Sequence, residues 1–230
     1  MPTELEHRLD EDVQGVLDRY DPYWGGQLVL AGAILLQLSL SDSLTVGPYW
    51  LLPATETAAL VALEIASPHP RLRHNPLRRH LALTLIGIVS AANAYAVVML
   101  VHYLLSGGKV TGRSLIGSGI VLWVTNVLLF GVWFWQLDGG GPAGRRLKRK
   151  PHPDFLFPQM TDDAKGFAPR GWRPTLLDYL YTSLTNATAF SPTDTMPLTP
   201  MAKGMMAGQS LVALATIGLV FARAVNILPA

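Results

Sequence analysis

Between residues 81 and 137, and again from 202 to 228, the chain is apolar over lengths that can cross a bilayer. A hydrocarbon core of ~30 Å takes about 20 residues of helix. In lipid each backbone N–H and C=O needs a partner within the protein, so continuous apolar runs of this length fold as helices. Composition agrees: 50% of the 230 residues are hydrophobic and only 15% are charged, away from the usual soluble domain. There is no cysteine, which excludes disulfides, thiolate metal ligands and cysteine nucleophiles. A net charge of +2 gives no general case for nucleic acid. The expected partner is the lipid bilayer.

The spans are expected at 25–40, 48–66, 81–105, 114–137 and 202–228. The first is short and extended by Tyr23 and Trp24, an interfacial aromatic pair. The second carries Glu56 and Glu64, eight residues apart and so close to one helical face. A carboxylate at bilayer depth costs roughly 2.5–3.5 kcal/mol on insertion scales and should face the bundle interior. Glu56 is therefore either part of an intramembrane cation or proton relay or hydrogen-bonded to a neighbouring helix; Glu64 is expected to reach its interface. Gly117 and Gly119 should permit close helix approach, and Asn126 an interhelical hydrogen bond. His102 reads as interfacial.

Residues 1–24 precede the spans. Thr3 and Glu6 fit a capping box, and Leu5, Leu9, Val13, Val16, Leu17 and Tyr20 recur at helical spacing. An acidic amphipathic helix, docked on protein or on the membrane surface, is expected there, without the pattern of a cleaved signal peptide. Two basic segments, Arg71 to His80 and Arg145 to Lys150, mark solvated ends beside lipid phosphates. Residues 138–172 form a basic and Pro/aromatic-rich connecting loop, whose aromatic stretch at 152–160 should pack under the bundle. Gly139-Gly140-Gly141 is not a nucleotide loop, because no strand precedes it and no Gly-Lys-Ser/Thr follows.

Residues 173–230 hold the functional expectation. An aromatic and apolar run around Tyr179 and Tyr181 leads into Thr185, Asn186, Thr188, Ser191, Thr193, Asp194 and Thr195, and then a Pro-broken turn. The segment is too short and polar to span, yet it stands directly before a spanning run. Irregular backbone at membrane depth survives only where protein buries it or water lines it, so a re-entrant helix and loop is the expectation. This part resembles the pore region of the two-transmembrane potassium-channel module, Y-F-S-F-V-T-L-T-T-x-G-Y-G-D-I-x-P-x-T-P, laid without a gap on residues 181–200. Tyr181, Ser183, Thr188, Asp194, Pro197, Thr199 and Pro200 fall on the family's residue types, and Phe221-Ala222-Arg223-Ala224-Val225 is similar to the end of the inner helix in bacterial members.

The departure lies in the filter: Ser191-Pro192-Thr193 stand where the family has Gly-Tyr-Gly, and Ala189 replaces the signature threonine. Pro192 cannot take the positive φ that a ladder of inward carbonyls requires, so potassium selectivity does not carry over. The resemblance implies a pore lined by Thr185, Asn186, Thr188, Ser191, Pro192, Thr193 and Asp194. It also implies a plasma-membrane homotetramer passing monovalent cations weakly selectively. Gly204 and Gly208 are expected as hinge or packing positions of the last helix. The alternative is a non-conducting scaffold or accessory subunit retaining a channel fold. No nucleophile–base pair, metal cluster or cofactor fingerprint is present, so neither an enzyme nor a cofactor is expected. The fold class expected is an all-α integral membrane protein, about five transmembrane helices plus the re-entrant element.

Overall fold

The computed structural model describes residues 23–40, 42–45, 48–65, 76–106, 112–146, 152–164, 167–168, 172–188 and 194–227. The acidic N-terminal segment expected as an amphipathic helix lies outside these residues up to position 22, and so do Ser191, Pro192 and Thr193. The helices are α1 (Tyr23–Gln37), α2 (Leu51–Ile65), α3 (Pro76–Ser106), α4 (Gly112–Leu137), the short α5 (Gly141–Arg146), α6 (Leu176–Thr188) and α7 (Pro200–Ile227). Two short strands, β1 (Phe155–Leu156) and β2 (Met196–Pro197), pair antiparallel. The all-α class holds, with this small ribbon as an addition.

Among the described residues three helices are long and apolar enough to cross a membrane: Arg79–Leu105, Ser114–Gly140 and Pro200–Val220. The other two expected spans are shorter. α1 and α2 have 15 residues each, about 22 Å at 1.5 Å per residue, against a core of ~30 Å.

α4 is the axis of the assembly, packing against α1, α3, α6 and α7. One apolar layer joins Leu30, Ile34, Leu60, Ile86, Val89 and Leu129. A second joins Leu40, Leu44, Ala96, Leu100 and Leu122. The order of residues through these layers sets α1 and α3 antiparallel to α4. The Gln37–Glu56 bond below Leu30 and Leu60 makes α2 antiparallel to α1, and Ala213 on Val127 with Val220 on Gly119 makes α7 antiparallel to α4. Apolar burial supplies little drive between helices in lipid, so close approach through small residues matters more. Gly119 lies against Val220, while Gly117 has open space where a side chain would stand. At Gly131 a Cβ would lie 3.1 Å from the Leu180 Cα, so α6 rests on the backbone of α4.

At the C-terminal end of α4 the chain turns through Gly139, Gly140 and Gly141 at φ of 58°, 87° and 83°. Only glycine takes that left-handed run cheaply. The turn brings α5 and the aromatic loop back beneath the helix, where Phe134, Trp135, Phe155, Phe157, Tyr179 and Ala202 form a third buried cluster. The expected packing of this loop against the bundle is what the structure has.

Candidate functional site

α6 begins with a defined cap. Thr175 donates from both its backbone N–H and its hydroxyl to Asp178 Oδ2, each at 2.7 Å. The Asp178 carboxylate also meets the positive end of the helix dipole. Pro174 therefore stands just before the cap, and the helix starts at Leu176.

The next turn carries Tyr179, which is fully buried and donates its hydroxyl to Asp138 Oδ2 at 2.5 Å. Asp138 Oδ1 accepts the backbone N–H groups of Asp154 and Phe155 at 2.5 and 3.2 Å. Asp154 returns the bond, its Oδ2 accepting from the Gly139 N–H at 3.0 Å and its Oδ1 from the Thr199 hydroxyl at 3.0 Å. Arg145 donates to the carbonyls of Trp135 and Asp138 at 2.7 and 3.0 Å, with its guanidinium 5.0 Å from the centre of the Tyr179 ring. This junction ties the end of α4, the aromatic loop, α6 and the start of α7 into one buried knot.

Deeper along α6 the polar side chains turn to the neighbouring spans. The Ser183 hydroxyl donates to the Val127 carbonyl at 2.7 Å. Gln209, fully buried on α7, donates to the Ser183 carbonyl and hydroxyl oxygens at 2.9 and 2.6 Å. Its Oε1 accepts from Asn186 Nδ2 at 2.8 Å. Asn186 also donates to the Met206 carbonyl at 2.9 Å, and the Ser210 hydroxyl donates to Asn186. The expected interhelical bond of Asn126 is present, running to the Gln209 carbonyl at 3.5 Å.

α6 ends about halfway along both of its partners. Ala187 packs on Val127 of α4 and Ala213 of α7, and the Trp123 indole N–H reaches the Ala187 carbonyl at 3.4 Å. By β2 the chain is back at the junction, where Met196 pairs with Leu156 and Thr195 meets Thr182 at 3.2 Å. Beside the end of α6, between α4 and α7, lies an apolar cavity of about 450 Å³ lined by Gly119, Ile120, Trp123, Thr188, Thr216 and Val220.

The expected pore residues are thus distributed. Thr185 donates to the carbonyls of Tyr181 and Thr182 on its own helix. Thr188 donates to the Thr185 carbonyl while bordering the cavity. Asn186 belongs to the Gln209 network, and Asp194 is exposed near the junction. Glu56 is buried and accepts from Gln37 Nε2 at 3.1 Å, far from α6 in the chain. Gly204 and Gly208 lie within continuous helix, with open space where a side chain would stand. His102 is exposed near the end of α3, edge-on to Tyr103. Among the described residues no group of three His, Asp or Glu side chains could hold a metal.

Sequence reasoning missed Asp138, Asp154, Arg145 and Gln209. The available signal was a lone aspartate closing an apolar run, a second within an aromatic–proline loop, and one glutamine inside the last span. Comparison with protein-family models, with curated proteins and with solved structures finds no match to this chain.

Proposed function

We propose that this chain is an oligomeric, ion-channel-like protein of the plasma membrane that passes monovalent cations weakly selectively through the segment following α6. The observation that carries this reading is the placement of residues 176–188 and 194–197. A 13-residue helix descends from the junction to mid-depth between α4 and α7, and the chain is back at the same junction by β2. A helix of that length reaches about 20 Å, too short to cross. A helix end at such depth must be buried by protein or lined by water. In this reading Thr185, Thr188, Ser191, Pro192, Thr193 and Asp194 line or flank the path, Asp194 forms a carboxylate ring at its mouth, and assembly is fourfold by the resemblance of residues 181–200.

The test is cation flux into liposomes holding the purified protein, with Asp194→Asn and Thr188→Ala compared at matched oligomeric state. Flux that falls in both variants supports the reading. Absence of flux in sodium, potassium and proton gradients, or a monomeric particle, overturns it.

A second reading, a non-conducting scaffold that keeps a channel-like fold, is favoured by one observation. Ser183 and Asn186, in the deeper half of α6, are committed to Val127, Met206 and Gln209.

A further inference from the structure

Where α1, α2, α3 and α4 pack together, one buried polar side chain from each interrupts the apolar packing, at the C-terminal end of α1 and within the other three. Gln37, Glu56, Asn93 and Thr125 are all buried, and they lie at one level. Gln37 stands between Ile34 of one apolar layer and Leu40 of the other; Asn93 between Val89 and Ala96; Thr125 between Leu129 and Leu122. Glu56 is one turn from Leu60 of the first layer and is bonded to Gln37. α3, which carries Asn93, packs against both α2 and α4.

Three oxygens of this layer, Glu56 Oε1, Asn93 Oδ1 and Thr125 Oγ1, have no hydrogen-bond partner among the described residues. Each residue is more than nine-tenths buried. Burying a carboxylate on a single amide contact is unfavourable unless a positive charge or a proton offsets it. No basic side chain of these helices is close. By 1.5 Å per residue, Arg79 lies ~20 Å from Asn93 along α3 and His102 about 14 Å.

We propose that this layer binds one monovalent alkali cation, with Glu56 as the charged ligand and the Asn93 amide oxygen and Thr125 hydroxyl as neutral ones. The chemistry is specific in kind. All the donors are oxygens, which suits a hard cation, and there is no thiolate or imidazole among them for a transition metal. One carboxylate neutralises one positive charge and would leave a divalent ion half compensated. A small cavity of about 40 Å³ on the same four helices, edged by Gln27 and Gln136 and reaching Leu30, Leu60 and Ile86, ends one turn of α2 from Glu56. This site is separate from α6 and does not depend on conduction.

The experiment is equilibrium binding of radioactive sodium to the purified full-length protein in detergent, paired with its melting temperature in sodium, potassium and choline chloride. Wild type should bind about one sodium per chain and melt higher in sodium or potassium than in choline. Glu56→Gln keeps the side-chain shape and the contact with Gln37, removes the charge, and should abolish binding and the dependence on the cation. Asn93→Leu and Thr125→Val should each weaken binding by about tenfold or more. A wild-type protein that binds no alkali cation at millimolar concentration overturns the proposal, whatever the variants do. Binding that survives Glu56→Gln overturns it too, and so does a stability that follows pH but not the cation, which would make the compensating charge a proton.

Discussion

Asp138 and Asp154 exchange hydrogen bonds across sixteen residues. The Asp154 backbone N–H donates to the Asp138 carboxylate, and the N–H of Gly139, the residue after Asp138, donates to the Asp154 carboxylate. Each side chain therefore caps the turn that carries the other. Tyr179 and Thr199 add donors from α6 and from just before α7, so the pair fixes where the α6 excursion starts and where it ends.

Replacing Asp138 with Ala removes an acceptor from three donors in a buried site. Hydrogen bonds to a charged group are worth about 1.5–3 kcal/mol each, and orphaned buried donors add a penalty, so a loss of roughly 3–5 kcal/mol is expected. Asp138→Asn, which keeps one acceptor oxygen, should lose less. Thermal unfolding in detergent, followed by size-exclusion chromatography, measures both. Equal stability of wild type and Asp138→Ala would show that the knot carries no energy.

Gln209 joins Ser183 and Asn186 on α6 to the backbone of α7. Side-chain hydrogen bonds between membrane helices average ~0.6 kcal/mol and reach about 1.7, so Gln209→Leu should cost roughly 1–3 kcal/mol. Ser183→Ala alone should cost less. The double variant should lose less than the sum of the two, because the changes share one bond, and more than Gln209→Leu alone by the Ser183 bond to Val127. Additive losses in the thermal or denaturant midpoint would argue that the two side chains act independently.

Glycines of similar appearance differ sharply in consequence. Gly131→Val would drive side-chain atoms into the backbone of α6 at Leu180 and should abolish the folded particle. Gly204→Ala meets nothing among the described residues and gains up to about 1 kcal/mol of helix propensity, so the melting temperature should hold or rise. If Gly204→Ala instead disperses the oligomer while the chain stays folded, that face of α7 contacts another copy.

The chain contains no cysteine, so single-cysteine reporters read sidedness without background. Asp194→Cys and Phe167→Cys, both at exposed positions on the junction side, should react with an impermeant maleimide from the same side of the membrane. His102→Cys, near the far end of α3, should react from the other. Reaction of Asp194→Cys together with His102→Cys would make α6 a crossing helix. Arg79 and Arg145 both lie at the junction end, so the positive-inside rule predicts reaction of Asp194→Cys from the cytoplasmic side.

What the sequence determined by itself is the local and one-dimensional part. Hydropathy over a span depends only on neighbours along the chain, so the apolar runs around α3, α4 and α7 were legible, as were the breaks at Gly139 to Pro142 and before Pro200. Asn126 was legible as an interhelical donor because a lone amide in an apolar helix has few alternatives. The tertiary structure decided which polar groups meet. Asp138 in a turn and Asp154 in a loop look like ordinary solvent-facing residues until the left-handed glycines fold one back onto the other. Gln209 reads as a flaw in an apolar span until α6 brings Ser183 and Asn186 to its head group. Such partners stand sixteen to twenty-six residues apart, and no periodicity encodes a contact at that range. Only the packing of α6 into the angle between α4 and α7 creates it.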